Sequence, residues 1–319
     1  MILRVRTEPS DKAPHAPRKR FMAGPWAVAT TFLLIGVISP FAFGAEQEVG
    51  ELYRSGVERG ATGDFEGTRQ IFEKVLKINR FDIPTIEALT LIGDVLAQRS
   101  MRDTALHIFR GALAGEKGLW DQALASFKNA VASEPTYARA HNSLAQAYSH
   151  KGLLDEEIAS LRQAIQINPN YALAYANLGN AYGRKGKLDE AMIAADKALA
   201  LDANLAEAHV TIGLLHVYKR NPGDAISAAN RALRINPRVV NAYLVLANAH
   251  NLKGDDNSAL SALKKAIEIE PNNGLAHHNL AVLYYNVQQD RLAVTHLKRA
   301  MALGYPVNPQ LARALGLRP

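Results

Sequence analysis

A period of 34 residues runs through most of this chain, and it constrains the fold more than any other feature. Steps of 34 from Ala130 land on Ala164, Ala198, Ala232, Ala266 and Ala300. A second column holds Ala123, Glu157, Ala191, Ala225, Ala259 and Ala293, and a third holds Gly111, Ala145, Gly179, Gly213, Ala247 and Ala281. Leu144, Leu178, Ile212, Leu246 and Leu280 precede the third column, broken only by Arg110, and Pro135, Pro169, Pro237 and Pro271 share one spacing. Ala203 stands where a fifth proline belongs and Pro306 is displaced by one. Six such units fill residues 104–307. Composition agrees: 48% of the residues are hydrophobic but only 7% aromatic. The apolar content is mainly Ala and Leu, which suits closely packed helices better than a sandwich or barrel.

Within a unit the pattern is two helices. In 138–171, Leu144, Ala145 and Tyr148 recur at helical spacing until Lys151-Gly152 stops the run. A second helix carries Ile158, Leu161, Ala164 and Ile165 and ends at Asn168-Pro169, with Asp155 expected as its cap. Gly118, Gly186 and Gly254 repeat the turn, and Asp121 and Asp189 repeat the expected cap. The small columns mark positions where facing helices approach too closely for a larger side chain.

These columns resemble the tetratricopeptide repeat family, strongly over 104–307. Glu157 departs from that pattern, and the large-aromatic column alternates His141, Tyr175, His209, Tyr243 and His277. The resemblance implies an all-α fold, a right-handed α-solenoid of 34-residue helix-turn-helix repeats whose inner groove binds protein segments.

Residues 46–103 read as more degenerate repeat-like helices. Leu52, Ser55 and Gly56, then Gly63-Asp64, Ile71, Phe72, Val75 and Leu76, suggest a helical pair ending near Ile83-Pro84, with a further helix over Thr85–Gln98. The register conflicts across 99–119: Ala105, Phe109 and Ala112 fit a second helix, whereas His107 and Gly111 fit a first helix. Either a half-unit is missing or one helix is shared. At the other end, 308–319 reads as a capping segment, a short helix using Leu311, Ala314 and Leu315, because a solenoid end otherwise exposes an apolar face.

The first 45 residues read as a targeting segment. Residues 1–20 form a basic tail with Arg4, Arg6, Lys12, Arg18, Lys19 and Arg20 against Glu8 and Asp11, and 21–45 carry no charge. At about 1.5 Å per residue that run spans a hydrocarbon core of roughly 30 Å as a single anchor. Read instead as a signal peptide, Trp26–Ile38 is its apolar core and Ala42-Phe43-Gly44 a cleavage site before Ala45. Both readings put the bulk of the protein outside the cytoplasm, in the periplasm or envelope. The membrane is then touched only through 21–45, if uncleaved.

The function classes narrow quickly. The chain has no cysteine, which excludes disulfides, thiolate metal sites and thiol nucleophiles. Its net charge of +7 is concentrated in the tail, so no nucleic-acid partner is expected. Ten histidines invite a metal hypothesis, but no pair combines i, i+4 spacing with a carboxylate, and the expected reading is His in place of a half-buried aromatic. No nucleophile elbow, phosphate loop or dinucleotide pattern appears, and the repeats leave no room for a separate catalytic domain. No catalytic residue, metal or cofactor is expected.

The stronger signal is a set of amides on the first helices. Asn177 and Asn279 share one column, Gln146, Asn180 and Asn248 another, and Asn142, Asn241 and Asn251 lie beside them. Each amide carries a donor and an acceptor, so the row suits the main chain of a peptide, while the competing reading is amide bonding between helices. Leu173, Leu214, Leu244, Val245, Leu275 and Val282 make the groove partly apolar. The sequence therefore points to a scaffold or chaperone for a protein or peptide segment. The alternative is a homo-oligomer, with Tyr284-Tyr285 as a candidate contact.

Overall fold

The computed structural model describes residues 45–80, 82–97 and 101–318. The basic tail and the uncharged run up to Gly44, with both targeting readings, lie outside the described residues. Among the described residues there are sixteen helices and no strands, and no helix is long and apolar enough to cross a membrane.

Helices α1 (Ala45–Thr62), α2 (Phe65–Ile78) and α3 (Ile83–Leu96) come first. Six helical hairpins follow: α4 (Arg102–Glu116) with α5 (Trp120–Ser133), α6 (Ala138–His150) with α7 (Leu154–Ile167), and α8 (Ala172–Arg184) with α9 (Leu188–Leu201). The series continues with α10 (Ala206–Tyr218) and α11 (Pro222–Ile235), α12 (Val240–Lys253) and α13 (Asp256–Ile269), and α14 (Gly274–Asn286) and α15 (Asp290–Ala302). A short α16 (Pro309–Ala314) closes the stack.

The small columns are the contacts that set the hairpin spacing. Ala123, Ala130, Ala164, Ala191, Ala198, Ala225, Ala232, Ala259, Ala266, Ala293 and Ala300 are wholly excluded from solvent. A Cβ on Gly179 would lie 2.9 Å from the Ala191 carbonyl oxygen, and one on Gly213 3.0 Å from Val245. First helices of successive units also touch, α8 on α10 and α10 on α12, while second helices bridge to the first helix of the next unit. The row of first helices is thus the short, inner circumference of an α-solenoid.

Several local expectations change. Asp121, Asp155 and Asp189 are not caps: the helices begin at Trp120, Leu154 and Leu188, with no side-chain cap bond. The aspartates sit in the first turn, where the helix dipole favours negative charge, and each accepts from the lysine that ends the first helix of the next unit. Lys151 reaches Asp121 at 2.6 Å, Lys185 pairs with Asp155, and Lys219 reaches Asp189 at 3.1 Å. The register conflict resolves because α4 serves twice. It pairs with α5 as the first helix of its unit, and it buries Ala105, Phe109 and Ala112 against Val57, Phe65 and Phe72 of α1 and α2. Pro84 opens α3 rather than ending α2, and α3 starts at Ile83, two residues earlier than read.

Glu157, the departure in the small column, is buried as an ion pair with Arg184 of the following unit, at 2.9 Å, beside Ser149. Burial raises its pKa against the pull of Arg184. At the carboxyl end Leu311 and Ala312 are sealed, Leu315 is half-buried and Ala314 is exposed. Tyr284, expected as a surface contact, is instead buried and stacked on His296 at 5.4 Å between ring centroids.

Candidate partner-binding groove

The inner row of first helices presents the predicted amides in three groups. On α6 and α8, Asn177 Nδ2 donates to Asn142 Oδ1 at 3.0 Å, one amide bridging two units. Asn142 is buried, and Gln146, one turn on, has its Oε1 buried without a hydrogen-bond partner. Asn180 is buried on the same helix as Asn177. On α12, Asn248 donates to the Leu244 carbonyl at 2.8 Å within its own helix, Asn241 is buried and Asn251 is half-buried. On α14, Asn279 is buried with neither amide atom hydrogen-bonded. The structure therefore brings Asn142, Gln146 and Asn177 together, keeps Asn241, Asn248 and Asn251 on one helix, and sets Asn279 apart. Two of the eight spend a donor on the protein itself; an unpartnered buried amide such as Asn279 costs on the order of 1–3 kcal/mol.

The histidine column is satisfied internally. His141, His209 and His277 each bring Nε2 to the backbone carbonyl six residues earlier, at 2.9, 3.2 and 3.0 Å. Tyr243 donates to Pro237 in the same way at 3.0 Å. The column thus ties each first helix to the turn before it. Burial lowers the pKa of His209 and His277, and takes His278 and His296 to about 4, so these rings are neutral at physiological pH. Among the described residues no three His, Asp or Glu side chains gather into a possible metal cluster.

What the sequence reading missed lies on α3. This helix is not half of a hairpin; it reaches the inner face of the units that follow it. Glu87 is held through one carboxylate oxygen by Arg139 of α6 and through the other by the Tyr171 hydroxyl ahead of α8. Tyr137 donates to Asp94 at 3.5 Å. Ile83 packs on the cluster of Ala138, Tyr171, Leu173 and Leu205, while Leu91 and Ile92 are buried with Phe72 and Phe109. Just before α3, Asp82 caps it by accepting from Thr85 N at 3.1 Å, and Asp82 feels the charges of Arg238 and Glu207, two units further along. A helix of 14 residues is about 21 Å long, two interaxial spacings of roughly 10 Å, which is how one element crosses several first helices. Two signals in the sequence point that way in retrospect: a helix with no partner in its own unit, and Asp82, Glu87 and Asp94 with no basic residue between 82 and 97.

Models described as tetratricopeptide repeat match residues 110–172 and 210–274, and residues 160–192 and 262–295, together more than half of the chain. The chain belongs to the tetratricopeptide repeat family. Solved structures agree on the fold. A tetratricopeptide repeat protein from Parabacteroides merdae is 17% identical, with 84% of this chain and 97% of that one covered and a TM-score of 0.56. The Cut9–Hcn1 hetero-tetramer of the APC/C is 19% identical over 84% of this chain and 54% of that one, with a TM-score of 0.59. PilW, a type IV pilus biogenesis factor, is 23% identical over 66% and 98%, with a TM-score of 0.53. No curated protein matches the chain significantly.

Proposed function

We propose that this tetratricopeptide repeat protein is a non-enzymatic scaffold or chaperone. It holds a segment of a partner polypeptide against its inner row of first helices, in the assembly of a cell-envelope or secretion complex. The observation that carries this reading is the mixed lining of the inner row: Asn180 on α8, Asn241 and half-buried Asn251 on α12 and unpartnered Asn279 on α14 stand among apolar residues, while the histidine column, the other chemically capable set, is spent on backbone bonds. The envelope assignment rests on the uncharged 21–45 run behind Arg18-Lys19-Arg20. Self-association through Tyr284-Tyr285 loses half its contact, since Tyr284 belongs to the core.

The test separates amides that bind from amides that build. Asn142→Ala breaks the bridge to Asn177 and lowers the melting temperature. Asn251→Ala, at a half-buried position on α12, leaves melting unchanged but weakens partner capture in a cross-linking pull-down from the native envelope. Capture unaffected by Asn251→Ala, Asn180→Ala and Asn248→Ala alike removes the groove as the binding surface.

A further inference from the structure

The inner face of the early units is not empty: α3, packed on α2 and α4, reaches it through the side chains of Ile83, Glu87 and Asp94. The two sides are complementary in charge. Residues 82–97 carry three carboxylates and no base; Glu87 meets Arg139 on the repeats, and Asp82 lies in the field of Arg238. The contact with the later repeats is looser than the one Leu91 and Ile92 make with Phe72 and Phe109. A cavity of about 50 Å³, large enough for water, remains between Pro84, Glu87 and Leu91 of α3 and Ser143, Gln146 and Leu173 of the repeats. Asp82 lies near Glu207, a buried like charge whose Oε2 has no hydrogen-bond partner. A Cβ at Gly93, inside the helix, would meet nothing within 4 Å, so the glycine weakens the helix without a packing need for it. Ile86 and Leu96 face solvent from α3, at 36% and 43% exposure.

We infer that α3 is a displaceable occupant of the groove, and that the partner is recognised as an amphipathic α-helix of another protein whose carboxylates take the place of Glu87 on Arg139 and Tyr171 and of Asp94 on Tyr137. This rests on the groove being the binding surface and names the chemistry of its ligand. The geometry accounts for each requirement. The Arg139–Tyr171 pair receives one carboxylate from both sides, which fixes register. The apolar floor of Leu173, Leu205 and Tyr171 takes an Ile or Leu one turn before that carboxylate, as it takes Ile83. The ligand helix binds only the fraction of molecules in which α3 has left, so the cis contact sets the apparent affinity.

The chain's lack of cysteine gives a clean probe. Ser143→Cys, nearly isosteric and lining the cavity under α3, is introduced into the full-length protein, and its reaction with a maleimide is timed. Labelling is slow with α3 in place. Adding Ile83→Ala and Glu87→Ala makes it about tenfold faster, the change in open fraction that ~1.4 kcal/mol of lost contact produces. A synthetic peptide of residues 80–97 then slows it again, whereas the same peptide with Glu87→Lys and Asp94→Lys does not. If circular dichroism shows lost helicity in the double variant, Glu87→Gln alone replaces it, with peptide protection as the readout. An unchanged labelling rate makes α3 a fixed wall and overturns the inference, as does equal protection by both peptides. A dimer that forms only when α3 is weakened, and dissolves on adding peptide, makes a second copy the helix donor and overturns the foreign partner. The two readings fail separately. Asn251→Ala can abolish capture while Ser143→Cys never opens, and the cysteine can open and be protected by peptide while no partner is captured.

Discussion

Helices α1 to α3 and the six hairpins after them use helices of similar length but different means of holding them together. In the hairpins, contacts are set by alanine. The columns at Ala123, Ala130 and their equivalents let backbones approach until the carbonyl of Ala191 bars any side chain at position 179. In the amino-terminal part, aromatic rings do this work. Phe72 and Phe109 lie 6.3 Å apart, Tyr53 stacks on Phe72, and a Cβ on Gly56 or Gly60 would collide with these rings. The first scheme repeats because small side chains make every interface alike. The second is unique to its place: it holds α3, which has no hairpin partner, by Leu91 and Ile92, and lets Ile83 and Glu87 reach the later units.

The difference can be broken from either side. Phe72→Ala, at a position with no exposure, opens a cavity that the surrounding rings cannot collapse into, and should cost about 3–5 kcal/mol in denaturant unfolding. In the repeats the damaging change runs the other way. Ala198→Leu overpacks a sealed contact and should cost about 1–3 kcal/mol, while enlarging nothing that a cavity-seeking ligand could fill. If Phe72→Ala is the milder of the two, the aromatic cluster is not what holds the amino-terminal helices.

A sharper probe lies where the two regions meet. Burial raises the Glu207 carboxyl to about 7, with Asp82 adding to the shift. A carboxyl raised in the folded state contributes stability that is fully present below its unfolded value of about 4.5 and is lost as pH rises through the folded value. Glu207→Gln should therefore stabilise the protein by roughly 1–3 kcal/mol at pH 8 and by progressively less towards pH 4.5. Thermal melts across that range check it, and a benefit that grows on acidification refutes the assignment. The smallest effect is expected at a turn. Gly118, Gly152, Gly186 and Gly254 take positive φ at one repeat position, where Arg220 does so at +56° and Gln288 at +63°. Arg220→Gly should relieve left-handed strain and gain about 1 kcal/mol, whereas Gly186→Ala should lose a comparable amount.

The hairpins were readable because the packing rule is local: one interface, repeated every 34 residues, shows itself as aligned columns. Individual caps were not, because an aspartate two residues into a helix and one just before it look alike in sequence. Only the lysine of the next unit, brought within 2.6 Å of Asp121, tells them apart. The same holds for the amides. Asn142 and Asn248 sit at groove register positions, yet which atoms they spend on Asn177 and on the Leu244 carbonyl depends on rotamers that spacing does not encode.

By itself the sequence determined the repeat, its period and the all-helical class, since these follow from side-chain size recurring at fixed spacing; the inner row of first helices was only implied by the family resemblance. Only the tertiary structure decided where α3 goes. Its contacts to Arg139 and Tyr171 join residues 52 and 84 positions apart. Single pairings of that kind leave no periodic trace; they exist because a carboxylate leaving water must find a cation or hydroxyl wherever the folded chain happens to place one.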